Sequence, residues 1–268
     1  MKKFTLGIIC LSYLVSGLLS SCASKEPSIL LTCNENNAAT EGLLIDRIET
    51  VRDTLPKAIT RYFYNKENLL DSASVLGNYN NKRLIAYQYD SKQRLLLMVT
   101  FSIVKNIREK QYLDSFFYDN KNRIIQIRGY SNYLGVDSFS YASNLSYDGS
   151  DNLILVEHNS KYSNSKTKYF WQNGNLEKTQ SFWDNDILAT ECVYKYDEQK
   201  NYLSKLPFEK LESPVSKNNV ISFELTFISP IIDLGRADPL LEMCYNSQGF
   251  VTKTKSKSIE RTIFYKNP

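Results

Sequence analysis

Tyr89-Asp90-Ser91-Lys92-Gln93-Arg94-Leu95 and Tyr118-Asp119-Asn120-Lys121-Asn122-Arg123-Ile124 are two copies of one phrase: an aromatic, an Asp, three polar residues, then an Arg that opens an aliphatic run. Looser copies stand at Tyr64-Asn65, Tyr147-Asp148, Trp171-Gln172, Tyr196-Asp197 and Tyr245-Asn246. The steps between successive aromatics are 25, 29, 29, 24, 25 and 49 residues, the last close to two periods. Self-similarity at such a spacing is the mark of a repeat architecture.

Each copy reads as a β-hairpin. Two residues before the aromatic stand Tyr62, Tyr87, Phe116, Leu145, Tyr169, Tyr194 and Met243, all large and apolar or aromatic. One residue before stand Phe63, Gln88, Phe117, Ser146, Phe170, Lys195 and Cys244, a mixed set. One apolar column at period two is a strand with one buried face. The Asp or Asn after the aromatic suits a turn, because its short side chain bonds backbone N–H groups just ahead. Four residues after the aromatic, Asn68, Asn122, Asp151 and Gly249 tolerate the left-handed conformation that closes a short loop; Gly174 serves one position earlier. Gln93 and Lys200 fit that position badly.

About seven hairpins in a row predict an all-β antiparallel meander, a curved sheet rolled partly or wholly into a soluble barrel. Tyr265, with Ile263 two before it, is a candidate closing strand. A period of 25–29 supplies two strands, too few for a propeller blade, and the column holding Gln88, Ser146 and Lys195 is too polar to face lipid. The repeat domain is expected over 43–268. It is interrupted at 201–240, where four of the seven prolines fall (Pro207, Pro214, Pro230, Pro239) and where Val220–Phe227 still alternates like a strand.

The N-terminus has a different texture. Met1-Lys2-Lys3, an apolar run Phe4–Leu19, and then Ser20-Ser21-Cys22 form the charged, apolar and small-residue regions of a secretory signal. Leu19-Ser20-Ser21-Cys22 resembles a bacterial lipobox. That resemblance implies removal of 1–21, acylation of Cys22 and a membrane attachment through the lipid. Residues 22–42 then read as a polar tether. Loss of Lys2 and Lys3 lowers the formal charge from +4 to +2, which argues against a nucleic-acid partner.

The Tyr-Asp-x-x-x-Arg-Leu phrase resembles the YD repeats of RHS-type proteins. Together with the Cys22 lipobox, and with Met243–Lys253 followed by Thr262-Ile263-Phe264-Tyr265, it is similar to a Bacteroidota family of repeat-containing lipoproteins of unknown function. That resemblance spans roughly 45–268. It implies an all-β sheet with a barrel-like curl in the cell envelope, as an outer-membrane lipoprotein facing the periplasm or the surface. It implies no activity.

No catalytic or cofactor motif is present. The single histidine, His158, lies among Asn and Ser residues and reads as a surface residue. Of the five cysteines, Cys33, Cys192 and Cys244 remain beyond the lipobox, too few and too irregular for a zinc site or a disulfide framework. Cys192 is in phase with the apolar column and Cys244 is out of phase, so the two are expected on opposite faces and both free. Asp148-Gly149-Ser150-Asp151 and Asp184-Asn185-Asp186 read as hairpin turns rather than calcium loops. No cofactor or metal is expected. The expected role is a non-catalytic binding or scaffold module for a glycan or an envelope protein. Phe117, Trp183, Asp184 and Asp186 are the candidate contacts, because exposed aromatics beside carboxylates stack on sugar rings or anchor partners. The alternative is an envelope glycan hydrolase using an unidentified carboxylate pair.

Overall fold

A computed structural model describes residues 44–52, 55–77, 81–183, 186–201, 216–227, 236–237, 242–247, 249–256 and 259–267. The leader, Cys22, the tether, Cys33 and Asp184 lie outside them, as does most of 201–240. The described residues form seventeen strands in one sheet. These are β1 (Leu44–Arg52), β2 (Leu55–Tyr64), β3 (Leu70–Leu76), β4 (Lys82–Tyr89), β5 (Leu95–Val104), β6 (Ile107–Tyr118), β7 (Ile124–Tyr133), β8 (Val136–Tyr147) and β9 (Leu153–Ser160). There follow β10 (Asn164–Gln172), β11 (Asn175–Trp183), β12 (Ile187–Lys200), β13 (Asn218–Phe227), β14 (Arg236–Ala237), β15 (Glu242–Tyr245), β16 (Val251–Lys255) and β17 (Ile259–Lys266).

All pairings are antiparallel, and the ladder runs without a break from β2 to β14 and from β15 to β17. β1 pairs on one side with β2 and on the other with β17, so the first and last strands close the meander into a nearly complete barrel. The residual junction, β14 to β15, falls in the interrupted stretch. β13 lies inside that stretch as a full sheet strand pairing with β12.

A meander places alternate links at opposite ends. The Tyr-Asp turns make one rim, and the links around 53–54, 77–81, 105–106, 134–135, 161–163 and 184–186 make the other. In the turns, Asp90 Oδ1 accepts the backbone N–H of Lys92 and Arg94, each at 2.9 Å, while Oδ2 accepts Arg94 Nε at 2.7 Å. Asp119 does the same with Lys121 and Arg123. Asn65 and Asp148 repeat the backbone part. Asn68, Asn122, Asp151 and Gly249 all have positive φ, as their chemistry predicts. So does Gln93, at φ 61°, which puts a residue with no special tolerance into a costly conformation for the sake of the shared turn. The repeat at Tyr196-Asp197 departs from the pattern. The strand runs on to Lys200, and Asp197 instead accepts the backbone N–H groups of Gln199 and Asn219.

Tyr62, Tyr87, Phe116 and Leu145 are buried, with Tyr169 and Met243 packed against the same core, so the predicted column lines the barrel interior. The repeat aromatic lies on that same inner side, and its polar atom does a second job. In each hairpin the register slips between the aromatic and the residue before it, forming a β-bulge. The ladder to the next hairpin stops beside the bulge: β5 and β6 pair only as far as Leu97 with Ser115. Two residues further on, the Leu95 carbonyl accepts the Tyr118 hydroxyl at 2.7 Å.

The same bond recurs around the wall. Tyr64 donates to Ile45 O, Tyr89 to Leu70 O and Tyr147 to Ile124 O, at 2.9, 2.8 and 2.8 Å. Trp171 Nε1 donates to Leu153 O, Tyr196 to Leu176 O and Tyr265 to Val251 O, at 2.8, 2.6 and 2.7 Å. Tyr245 donates instead to the Asp197 carboxylate, joining β15 to β12 across the residual junction. Above these bonds, Arg94 lies over the Tyr118 ring and bonds Asn122, while Arg123 lies over Tyr147 and bonds Asp151.

Two outcomes are expected. Tyr118→Phe keeps the ring and orphans a carbonyl, and should cost roughly 1–2 kcal/mol in urea unfolding with an unchanged m value. The second concerns pH. Burial, the largest cause in each case, raises the hydroxyls of Tyr64, Tyr89, Tyr118 and Tyr196 from 10.0 to about 12. Their folded pKa lies above the unfolded one, so this stability is intact below pH 10 and is lost as pH rises toward 12. Circular dichroism and tyrosinate absorbance should therefore change together in that window. Tyrosinate signal appearing ahead of unfolding, from more than the exposed tyrosines, would contradict the shared burial.

Candidate functional site

The residues singled out by sequence separate in space. Phe117 sits on the outer wall beside a Tyr-Asp turn, under the Arg128 guanidinium at 4.9 Å. Trp183 ends β11 at the opposite rim. There it opens a concavity of roughly 560 Å³ between the β9–β10 and β11–β12 links, lined also by Asn159, Tyr162, Asn164, Lys166 and Asp186. Trp183 is 52% exposed and Tyr162 is 84% exposed. Asp186 is ion-paired with Lys166, which holds its carboxyl below the usual range, and it has φ 62°. The structure therefore unites Trp183 with Asp186 and leaves Phe117 apart.

Register extends this mouth inward. Trp183 is opposite Ser165, Ser165 opposite His158, and His158 opposite Ser143. Directly opposed residues share a face, and Ser143 is 0% exposed, so the row runs along the inner wall. His158 is thus half-buried on the inner side rather than outward on the wall: its Nδ1 lies 3.1 Å from Ser143 Oγ and its ring is 4.8 Å from that of Tyr141. An Asn- and Ser-rich context reads as surface by composition, but strand phase carried this residue inside. Tyr141 in turn donates to Asp114 at 2.8 Å. It crosses Gly129 to get there, and a Cβ at Gly129 would overlap its ring. Sequence reasoning missed this cluster, although a glycine between two strands of large residues was a readable signal of close approach.

The arrangement sets a Ser–His pair beside an Asp–Tyr pair, because Asp114 accepts the Tyr141 hydroxyl. A nucleophile relay would need the carboxylate on the imidazole. A glycosidic acid would need a carboxyl raised toward neutrality. Several carboxyls are held below ordinary values: backbone N–H groups and Arg act on Asp90 and Asp119, Asn152 on Asp148, Lys57 on Glu49, Lys110 on Asp137 and Gln180 on Glu191.

The cysteines correct one expectation. Cys192 is free and buried, and burial pushes its thiol up to about 11, far from a nucleophile's range. Cys244 is disulfide-bonded and 2% exposed, although its neighbours in the column one before the aromatic are exposed. With Cys192 free, its partner lies outside the described residues. The strand-phase argument correctly kept Cys192 and Cys244 from joining each other. It had no means of finding a partner outside the repeats.

No family model matches this chain, and no curated protein matches it. Solved structures do. A porin-like protein from Bacteroides uniformis superposes with a TM-score of 0.55 at 11% identity, covering 83% of this chain and 96% of that one. A porin-like protein from Bacteroides vulgatus gives 0.48 at 10% identity over 84% and 100%. A chain of a TcdB2-TccC3-Cdc42 complex gives 0.31 at 13% identity, with 13% of that chain covered. At such identities the first of these is a likeness of fold alone.

Peptide mapping of the mature chain without reduction should find Cys192 as a free thiol, labelled only after denaturation, and the Cys244 peptide in a disulfide. A free Cys244 would contradict the structure.

Proposed function

We propose that this chain is a lipid-anchored protein of the cell envelope, a non-catalytic binding module that takes a glycan at the mouth around Trp183.

 The observation that carries this reading is the pairing of two wet aromatic rings, Trp183 and Tyr162, with the amides of Asn159 and Asn164 and the Lys166–Asp186 pair around one concavity. Sugar rings offer apolar C–H faces to aromatic planes and hydroxyls to amides and charged groups, so this mixture suits them. The lipobox-like Leu19–Cys22 supports the anchor, and at the mouth itself the Asp186 carboxyl, held low by Lys166, supports binding over acid catalysis there.

The test is a glycan panel of bacterial envelope polysaccharides, with titration calorimetry on any hit. Trp183→Ala and Tyr162→Ala should each weaken binding about tenfold or more, since a buried aromatic contact is worth on the order of 1–2 kcal/mol. Both side chains are exposed, so the melting temperature should stay nearly unchanged. Equal binding by wild type and both variants would move the ligand elsewhere, and a glycan cleaved by the wild-type chain would replace the binding reading with the hydrolytic one.

A further inference from the structure

The rim opposite the Tyr-Asp turns carries two protruding fingers. The β5–β6 finger is exposed throughout 104–109 and the β7–β8 finger throughout 133–139, so at their tips neither face of the ribbon is covered. Large apolar side chains stand out among them: Val104 and Ile107 on the first, and Tyr133, Leu134, Val136 and Phe139 on the second. The fingers are held together by the Lys110–Asp137 ion pair, and Asn132 also donates to Asp137.

Leu134 departs from expectation twice. It is 85% exposed, and it has φ 52° at the first central position of a two-residue turn, where Asn, Asp or Gly is the unstrained choice. The β10–β11 turn shows the ordinary solution, with Asn173 at φ 52° before Gly174, whereas the neighbouring finger has Lys105 at φ 49° in the equivalent place. A leucine that is both strained and wet is a local conflict of the kind found at functional positions.

We propose that these two finger tips dock into the surface of a lipid bilayer. Three features select this occupant. Tyr and aliphatic side chains at the tips are backed by Lys105 and Arg108, exposed beside them, and by Lys161 on the next link, against the exposed Glu109 and an Asp137 already paired with Lys110; aromatic and apolar groups with a net basic fringe match the headgroup boundary of an anionic membrane. The apolar groups sit on turns, which can enter the interface without presenting an open sheet edge. The 21 residues of 22–42 can extend about 70 Å, well beyond the roughly 30–40 Å length of a finger-bearing strand. Although β1 starts at the Tyr-Asp rim, an acylated Cys22 and the finger tips can therefore reach the same membrane. The inference rests on the anchored reading only for that proximity.

The experiment uses the full mature chain with phosphatidylethanolamine–phosphatidylglycerol vesicles whose acyl chains are brominated. Leu134→Trp places a probe at a finger tip, and Asn120→Trp places one on an exposed Tyr-Asp turn. Each is compared with the parent chain, which contributes Trp171 and Trp183. Leu134→Trp should add a blue-shifted emission that bromine quenches, and Asn120→Trp should add one that is not quenched. An unquenched added signal from Leu134→Trp overturns the proposal. So does a blue shift that grows with protein-to-lipid ratio and ignores bromine, which would assign the tips to a second copy of the chain. Mass spectrometry of the N-terminal peptide reports the acyl group on Cys22 separately, so an unacylated chain whose Leu134→Trp signal is still quenched rejects the anchor and keeps the docking.

Discussion

The bond from the repeat aromatic, at every repeat but that of Tyr245, to a carbonyl of the preceding strands is the constraint on which the barrel depends. A β-bulge at every turn bends the ribbon and lets a flat meander curl, but it also ends the ladder to the next hairpin early. A backbone carbonyl left there without a partner would cost about 1–3 kcal/mol. The aromatic from the next repeat answers it from inside the barrel, so curvature and satisfaction come from one residue. The same side chain carries an Arg over its ring at Tyr118 and Tyr147, which ties the neighbouring turn to it. The repeat is thus a unit that completes its neighbour rather than itself.

This explains a feature of the sequence that periodicity alone left unread. The column two before the aromatic accepts Tyr, Phe, Leu and Met, because it only fills volume. The aromatic position itself holds Tyr seven times and Trp once, counting Tyr265, and never Phe. Ring size is common to all of these; a hydrogen-bond donor is what Phe lacks. The hairpins, the buried column and the left-handed turn positions were legible because they depend on residues close in sequence. The interior placement of His158, the path of Tyr141 over Gly129 and the bonded state of Cys244 were not, because each depends on strand pairing or on a segment outside the repeats.

The two rims have opposite chemistry. Asp90, Arg94, Asp119, Arg123 and Asp151 make the Tyr-Asp rim a fabric of charge-assisted bonds that occupies its own polar groups. At the other rim, side chains such as Trp183, Tyr162 and Leu134 face water with little of the core behind them. The second rim leaves its large apolar side chains uncovered, while the first spends its polar groups on holding turns in register. The outward column between the rims is mixed, with Phe63, Phe117 and Phe170 exposed as well as Gln88, Ser146 and Lys195.

Closure by β1 and β17 pairs Leu44 with Lys266, nearly the full length of the described chain. During synthesis, β1 emerges first and its second neighbour emerges last. Until then the growing sheet has an open edge at β1, with its own hairpins formed but its seam unmade. Local hairpins close quickly, whereas bringing the ends together meets a large loop entropy with no contacts yet to offset it. A chain shortened by its final strand would keep every Tyr-Asp turn and still leave an unpaired edge open to other chains. For this architecture, the last eight residues of sheet decide whether the product is a barrel or a sticky ribbon.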